Sequence, residues 1–503
     1  MIRKRAISTS GLLLLATGFA QAQQTSWQVT ITELQLPPGG FGASALGIND
    51  TGKIVGIATD PTGTHTVEWV NGQIANFPPF LGGAGGLAHP EDLNDAGESV
   101  GYEHVFSSIV YALHWDAQNN PSALPGIPGG SVSSNHAHGI NSAGQIVGYS
   151  REGAPNFWMH AVVWYQGSVQ SDLGFLGGGH QMEAFGINDL GAVVGTGTLP
   201  SFAPHAFLWE NGQLTDLSTW TGGGVVSKAF AINNHGDIVG MNANVAALWH
   251  NGSVQALPMP PGLSAYTSVI DINDAGDMIA TSGPPFEVGV LWRNGTPISL
   301  GTLPGGTISR AYRINAAGEI VGESNAADGF FHAVKWTVTA VATPYCSGDG
   351  SAGPCPCANM GASGHGCQNS ATTGGAMLSV TGTPSLSADS LLLTSAGELP
   401  SVTSVFLQGT STVAPAVFGD GLRCVGGSLK RLFVHNAIAG SVSAPQSGDP
   451  HVSVRSAALG DPLTAGSTRY YQTYYRDPVL GFCPAPTGNS WNVSSGLEVH
   501  WGQ

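Results

Sequence analysis

The sequence predicts an all-β protein: a seven-bladed β-propeller followed by a disulfide-stapled antiparallel β-sandwich. Three observations carry this. One core, Ile-Asn-x-x-Gly-x-Ile-Val-Gly, recurs seven times at intervals of 40–47 residues. Each recurrence brings the same series of short β runs and turns. All six cysteines lie after residue 345, where the repeat has stopped.

The 503 residues are only 10% charged, against roughly 25% in an ordinary soluble protein. Glycine is 73 of 503, about twice its average use. A hydrophobic content of 42% is enough to fill cores and excludes a disordered chain. Glycine shows no three-residue period, which excludes collagen. The net charge is −16, with no basic run of five or more residues. Nucleic acid binding relies on Lys and Arg neutralising phosphates, so no nucleic-acid partner is expected.

Residues 1–22 read as a secretory signal peptide. Arg3–Lys4–Arg5 is the positive region, Gly11–Ala20 the apolar run, and Ala20–Gln21–Ala22 the small-residue cleavage site. The apolar run is too short to span ~30 Å of hydrocarbon as a stable helix, and no later run approaches 18 apolar residues. The mature chain, from Gln23, is expected to be secreted, without a transmembrane segment. It would be extracellular or at the cell surface, with the periplasm the other compartment open to it.

Residues 23–342 are assigned to the propeller. The key asparagines are Asn49, Asn94, Asn141, Asn188, Asn233, Asn273 and Asn315. An apolar run ends at each Ile-Asn pair. Asn-x-x-Gly then makes a tight turn, read as using the tolerance of both residues for positive φ. Ile-Val-Gly is β-branched strand material. A third run ends in Trp69, Trp115, Trp164, Trp209, Trp249, Trp292 or Trp336, expected in the core between blades. A second turn follows, most clearly Asn-Gly, and a fourth run leads into a Gly-rich link such as Gly82–Gly83 or Gly222–Gly224. Four strands every 40–47 residues, seven times, is the arithmetic of a propeller; a parallel β-helix, with shorter coils, ranks second. To close the ring, Trp27–Leu36 is expected to supply the fourth strand of the seventh unit. The rival is Thr337–Ala342.

The third strand often begins His-Ala, as in MHAVVW, PHAFLW and FHAVKW. Here the chain resembles the HAF-repeat extracellular bacterial proteins, over about residues 30–340. The resemblance implies export and a propeller-like repeat, and carries no common activity. Tyr111, Val245 and Val288 depart from the triplet's histidine. His65, His160, His205 and His332, one per blade, would be spread around a ring. Zinc needs ligands ~2 Å from one centre, so no metal site and no cofactor is expected, and backbone hydrogen bonds are their expected role. The Asn-Asp turns lack the ligand count of an EF-hand.

A candidate ligand site comes from comparing units. Five residues before each key asparagine stand Ser44, His89, His136, Glu183, Lys228, Ser268 and Arg310. The next position inward is mostly alanine. A fixed frame therefore carries one polar position that differs from blade to blade. Seven such groups at one mouth could read an asymmetric polar ligand. His138 and Arg313 join this candidate ligand-binding set, and Glu91, Asp92, Arg151, Glu152, His180 and Asp271 stand nearby. No G-x-S-x-G, HExxH or P-loop is present.

Residues 343–503 form the second module. Six cysteines in one region of an exported chain read as a disulfide framework: Cys346, Cys355, Cys357, Cys367, Cys424 and Cys483. Their 15 possible pairings stay open, though Cys355 and Cys357, flanking one proline, should each pair elsewhere. Strand-like runs are Ala376–Thr381, Ser390–Thr394, Ser404–Gly409, Leu429–His435, His451–Ser456, Thr468–Arg476 and Ser495–Trp501. Together they suggest a sandwich. The strings YCSGDG, CPCANMG, GHGCQNS, FGDGLRC and TRYYQTYYRDP resemble a cysteine-bearing C-terminal module of exported bacterial proteins, which implies an accessory role. Tyr470, Tyr471, Tyr474 and Tyr475 are read as packing between sheets.

The expected function is a binding or scaffold protein presenting a propeller face to a polysaccharide or cell-surface ligand. The alternative is a polysaccharide lyase or glycoside hydrolase at the propeller mouth, which requires His136, Glu183, His138 or Arg313 to converge. A third reading is a purely structural envelope component, its mouth plugged by its own side chains.

Overall fold

The computed structural model describes residues 26–76, 87–105, 109–201, 203–224, 226–284, 287–479, 481–483 and 490–502. Residues 1–22, read from the sequence as a signal peptide, and the Gly82–Gly83 link lie outside them. The chain is almost entirely β and divides into two compact units, Val29–Val338 and Thr339–Gln503 with the N-terminal residues to Gln28.

In the first unit each repeat forms four antiparallel strands paired in chain order. Met182–Ile187, Val193–Thr198, Pro204–Glu210 and Gln213–Asp216 show the pattern. In the last repeat, Ser309–Ile314, Glu319–Asn325 and Phe331–Tyr345 supply three strands, and Ser26–Glu33 pairs with Phe331–Tyr345 as the fourth. The N-terminal strand therefore closes the set. The rival Thr337–Ala342 merely continues the third strand.

Turn chemistry explains the repeat, with one correction. The turn glycines Gly52, Gly97, Gly144, Gly191, Gly236, Gly276 and Gly318 all have positive φ, but none of the seven key asparagines does. These asparagines do different work. The side-chain oxygen of Asn188 accepts from the amides of Leu190 and Ala192, at 3.1 and 2.9 Å, so it caps its own turn. Its side-chain nitrogen donates to the Asn233 carbonyl of the next repeat at 2.9 Å. The same donation runs from Asn49 to Asn94, Asn94 to Asn141, Asn141 to Asn188, Asn233 to Asn273, Asn273 to Asn315, and Asn315 back to Asn49. Asn71, Asn211, Asn251 and Asn294, in the outer Asn-Gly turns, do take positive φ, as hairpin turns require.

Tryptophans fill the gaps between neighbouring sheets. Trp69, Trp115, Trp164, Trp249, Trp292 and Trp336 are fully buried; Trp209 is partly exposed. Trp164 packs with Val100 and Ala112 of the preceding repeat, and its indole donates to the Pro125 carbonyl at 2.8 Å.

The histidines of the third strand bond carboxylates, where backbone partners were expected. His160 meets Asp172 at 2.8 Å and His205 meets Asp216 at 2.9 Å, each on the adjoining fourth strand. At the seam His332 lies 2.5 Å from Glu33 and 3.0 Å from Asp328. Burial works against its imidazolium, but the two carboxylates outweigh that and raise it above the ordinary histidine value. This contribution to stability is full below the unfolded pKa of about 6.5 and is lost as pH rises through the raised folded value. The urea midpoint is therefore expected to fall more between pH 6 and pH 9 in the unmodified chain than in Glu33→Gln. Equal falls would remove His332 from the seam.

In the second unit, Ala342–Tyr345, Gly496–His500, Thr468–Arg476, Thr403–Gly409 and Lys430–Asn436 pair in that order. A second sheet holds Met377–Thr381, Leu392–Ala396 and Ser441–Ala444. Leu378, Leu393 and Val442 from the second sheet share one core with Phe406, Phe433, Tyr471, Tyr475 and Leu497 from the first. The tyrosines alternate faces: Tyr474 turns the other way, onto Phe418 and Trp491. His451–Ser456, expected as a strand, lies at the start of the helix Val452–Ala458. Its apolar alternation misled, because Val452 is buried while Val454 is exposed and Ser456, one helical turn on, is buried. The disulfides are Cys346–Cys424, Cys355–Cys367 and Cys357–Cys483. Cys355 and Cys357 do pair elsewhere. Cys424 lies on the strand Gly421–Gly426, outside the strand-like runs read from the sequence. No helix among the described residues is long and apolar enough to cross a membrane.

Candidate functional site: the channel inside the asparagine ring

The inner strand of every repeat carries a bulge at the same place, shown by register shifts at Ala45/Gly47, Pro90/Asp92, Ala137/Gly139, Ala184/Gly186, Ala229/Ala231, Val269/Asp271 and Ala311/Arg313. A bulge re-aims the side chains that follow it. Asp92, Asp271 and Arg313, just past it, consequently line the central cavity of ≈ 250 Å³. The glycine closing each repeat core has a related role. A Cβ on Gly148 would overlap the carbonyl oxygen of His136, and Gly101, Gly195 and Gly322 stand likewise to His89, Glu183 and Arg310. Glycine lets the second strand press against the backbone that presents each variable polar residue.

One polar cluster joins three repeats. His136 Nε2 lies 2.9 Å from one oxygen of Glu91, and His138 Nδ1 lies 2.7 Å from the other. His138 Nε2 lies 3.0 Å from Glu183. The two imidazoles stack with centroids 4.2 Å apart, because residues two apart on a strand share a face. Tyr102 lies 3.9 Å from the His136 ring and 5.0 Å from that of His89, and Tyr149 stands 5.7 Å from His136. Burial works to raise the Glu91 carboxyl, yet the hydrogen bonds from His136 and His138 hold it well below the usual carboxylate range. Burial also opposes charge on His138, but Glu183 and Glu91 bring it up to about 9. His136 is lowered, burial prevailing over Glu91.

Deeper in the channel Arg313 reaches across from the seventh repeat. Its Nε lies 3.6 Å from Asp92 Oδ1, and its guanidinium donates to the His138 carbonyl at 3.5 Å. Asp271 accepts from the Ile314 amide at 2.9 Å. Burial pushes Asp271 up to about 6, against the pull of Arg313 and that amide. Phe185 and Phe230 line the same cavity, with ring centroids 5.2 Å apart at a tilt of 44°. Asp50, Asp95, Asp189 and Asp274, on the asparagine turns, accept backbone amides of neighbouring repeats at 2.6–2.9 Å.

The variable ring therefore resolves into parts. His89, His136, His138 and Glu183 come together. Arg310 pairs with Glu287 and Glu323 at 2.7 Å, and Ser44 hydrogen-bonds Glu323. Lys228 and Ser268 make no side-chain hydrogen bond or ion pair among the described residues. Glu152 and His180 do not join the His136 cluster: Glu152 turns to His160 and Asn156, and His180 stacks on Trp158. Sequence reasoning missed Tyr102, Tyr149 and Glu323. The residue after Val-Gly, which differs between repeats, was the available signal: it pairs directly with the ring position, as Tyr149 does with His136.

No protein-family model matches the chain, and no curated protein sequence does. Among solved structures, a Mycobacterium tuberculosis puromycin-hydrolyzing peptidase aligns at TM-score 0.40 and 12% identity, over 58% of this chain and 51% of that one. The chain thus spans about half of that peptidase. YCF48 from Cyanidioschyzon merolae aligns at 0.36 and 12%, over 61% and 98%. An extracellular domain from B. thetaiotaomicron aligns at 0.37 and 8%, over 72% and 45%. These likenesses are too distant to transfer a function.

Proposed function

We propose that this chain is an exported binding protein, a seven-bladed β-propeller whose mouth receives a polysaccharide or other cell-surface ligand, with a disulfide-stapled β-sandwich as accessory module. The blade count is supported by the asparagine hydrogen bonds, which pass through seven repeats and return to their start. Export is supported by three disulfides, which persist in oxidising compartments. The observation that carries binding is the uneven use of the ring. Most of its charges are spent on one another, but Lys228 keeps an amine with no partner among the described residues. Beside the ring, Tyr102 packs on His89 and His136, and Tyr149 on His136. Aromatic faces stack on sugar rings, and a free ammonium takes a carboxylate or sulfate.

The lyase or hydrolase reading keeps one observation in its favour: His136, His138 and Glu183 do converge, through Glu91. A general base must lie within hydrogen-bond reach of the proton it takes, and this cluster would supply one. Residues 23–503, incubated with a panel of neutral and acidic polysaccharides, decide between the readings. Retention of intact protein without new oligosaccharides by mass spectrometry is expected, weakened at least 10-fold by Lys228→Ala. Products with unsaturated ends would replace binding with a lyase, and saturated products with a hydrolase. Neither retention nor products would sink the ligand altogether.

A further inference from the structure

We infer that Glu91, His136 and His138 form a binding site for one divalent transition-metal ion of the zinc type, with Glu183 as the partner that orients His138. This goes beyond the binding function above and does not rest on it. It also departs from the sequence expectation of no metal, which weighed the third-strand histidines and the Asn-Asp turns but not His136 and His138. The third-strand histidines are spread around the ring. His136 and His138 share one inner strand.

The geometry has four parts. First, one ligand atom from each of the three side chains lies within 4.8 Å of the others. Two donors on one zinc ion, each ~2.0–2.2 Å from it, are themselves about 3–4 Å apart. The contacts of 2.9 and 2.7 Å from His136 Nε2 and His138 Nδ1 to Glu91 fall just short of that span. Small rotations of the carboxylate would admit an ion. Second, the nitrogens aimed at Glu91 come from residues 136 and 138, whose rings are already held parallel by the strand. Little side-chain freedom remains to be lost on binding.

Third, His138 Nε2 is held 3.0 Å from Glu183. Metal-bound histidines almost always donate their second ring nitrogen to a carboxylate or carbonyl, which fixes the tautomer that leaves the other nitrogen free to bind. Glu183, on the next repeat, does this for His138. Fourth, the charge favours a cation. Among the described residues, Glu91 and Glu183 form salt bridges only with histidines.

Two imidazoles and one carboxylate suit zinc and its neighbours. Calcium wants six to eight oxygens, and this site does not supply them. Three protein donors leave a further coordination position open for water or a ligand group. The ion would bridge the second and third repeats.

The test uses the exported chain, residues 23–503, stripped with chelator. Calorimetric titration with Zn²⁺ is expected to show one strong site. Glu91→Gln or His136→Ala should weaken it at least 100-fold, and Glu183→Gln about 10–100-fold. If a variant fails to fold, the unmodified chain still decides. Zn²⁺ should protect His136 and His138 from diethyl pyrocarbonate, mapped by peptide mass spectrometry. The half-exposed His65 and His250 should still react. Absence of stoichiometric Zn²⁺ or Co²⁺ binding would overturn the site. So would affinity unchanged by Glu91→Gln and His136→Ala in folded variants, or protection confined to other histidines.

Discussion

A chain begun at Leu34, without the strand Ser26–Glu33, is expected to lose most of its stability. That strand is the fourth of the last repeat, paired with Phe331–Tyr345, and it brings Glu33 to His332. Its backbone hydrogen bonds contribute roughly 0.5–1.5 kcal/mol each. Losing several of them takes a large share of the ~5–15 kcal/mol that holds a typical domain together. The bared edge of Phe331–Tyr345 would also become a template for another chain. Denaturant titration should show a collapsed midpoint or no cooperative transition, and gel filtration should show association. A truncated chain with an unchanged midpoint would mean that the asparagine contacts between Asn315 and Asn49 hold the seam alone.

The second large effect is expected from Asn188→Asp, a change of shape by almost nothing. Asn188 is buried, and its side-chain nitrogen donates to the Asn233 carbonyl at 2.9 Å. Aspartate puts an oxygen there, so two acceptors face each other out of water. An unsatisfied buried partner costs about 1–3 kcal/mol, and more when charged. About 3 kcal/mol or more is expected at pH 7. The loss should shrink in acid, because a protonated aspartate can donate. Its folded pKa would be raised by burial and by the facing carbonyl. The stability it retains is therefore greatest at low pH and lost as pH rises through that value. A deficit independent of pH would show that the lost donation to the Asn233 carbonyl is not what the substitution costs.

The repeat was legible because its turns are chemical. Glycine at the αL position and Asn-Gly hairpins mark strand ends whatever the tertiary setting. The closing strand was legible too, since Trp27–Leu36 precedes the first full unit and the seventh unit ends at Trp336 without an Asn-Gly turn. The asparagines were found but misread: from sequence a turn asparagine suggests positive φ, and only the neighbouring repeat shows that its amide bridges outward. At the site, the variable column from Ser44 to Arg310 could be read off, but which members meet could not. A bulge shifts the pairing by one residue and leaves no residue type of its own behind. Contacts such as Glu91 with His138 also join positions 47 residues apart, which no local pattern encodes. The helix Val452–Ala458 was lost because a run of H-V-S-V-R-S alternates as well as a strand does.

The asparagine contacts have one property with a wider reach. Every donor in that hoop is met by the next carbonyl, and the last by the first. Such a loop balances for any number of members: adding or removing a repeat adds or removes one donor and one acceptor together. Hydrogen bonding therefore cannot be what selects the repeat number. That choice falls to side-chain volume between neighbouring sheets, where the first strands bury the small Ala45, Ala137, Ala184 and Ala229 and the third strands bury tryptophans. Curvature in this molecule is written in side-chain volume, and the amide hoop only fastens the circle that those volumes have already drawn.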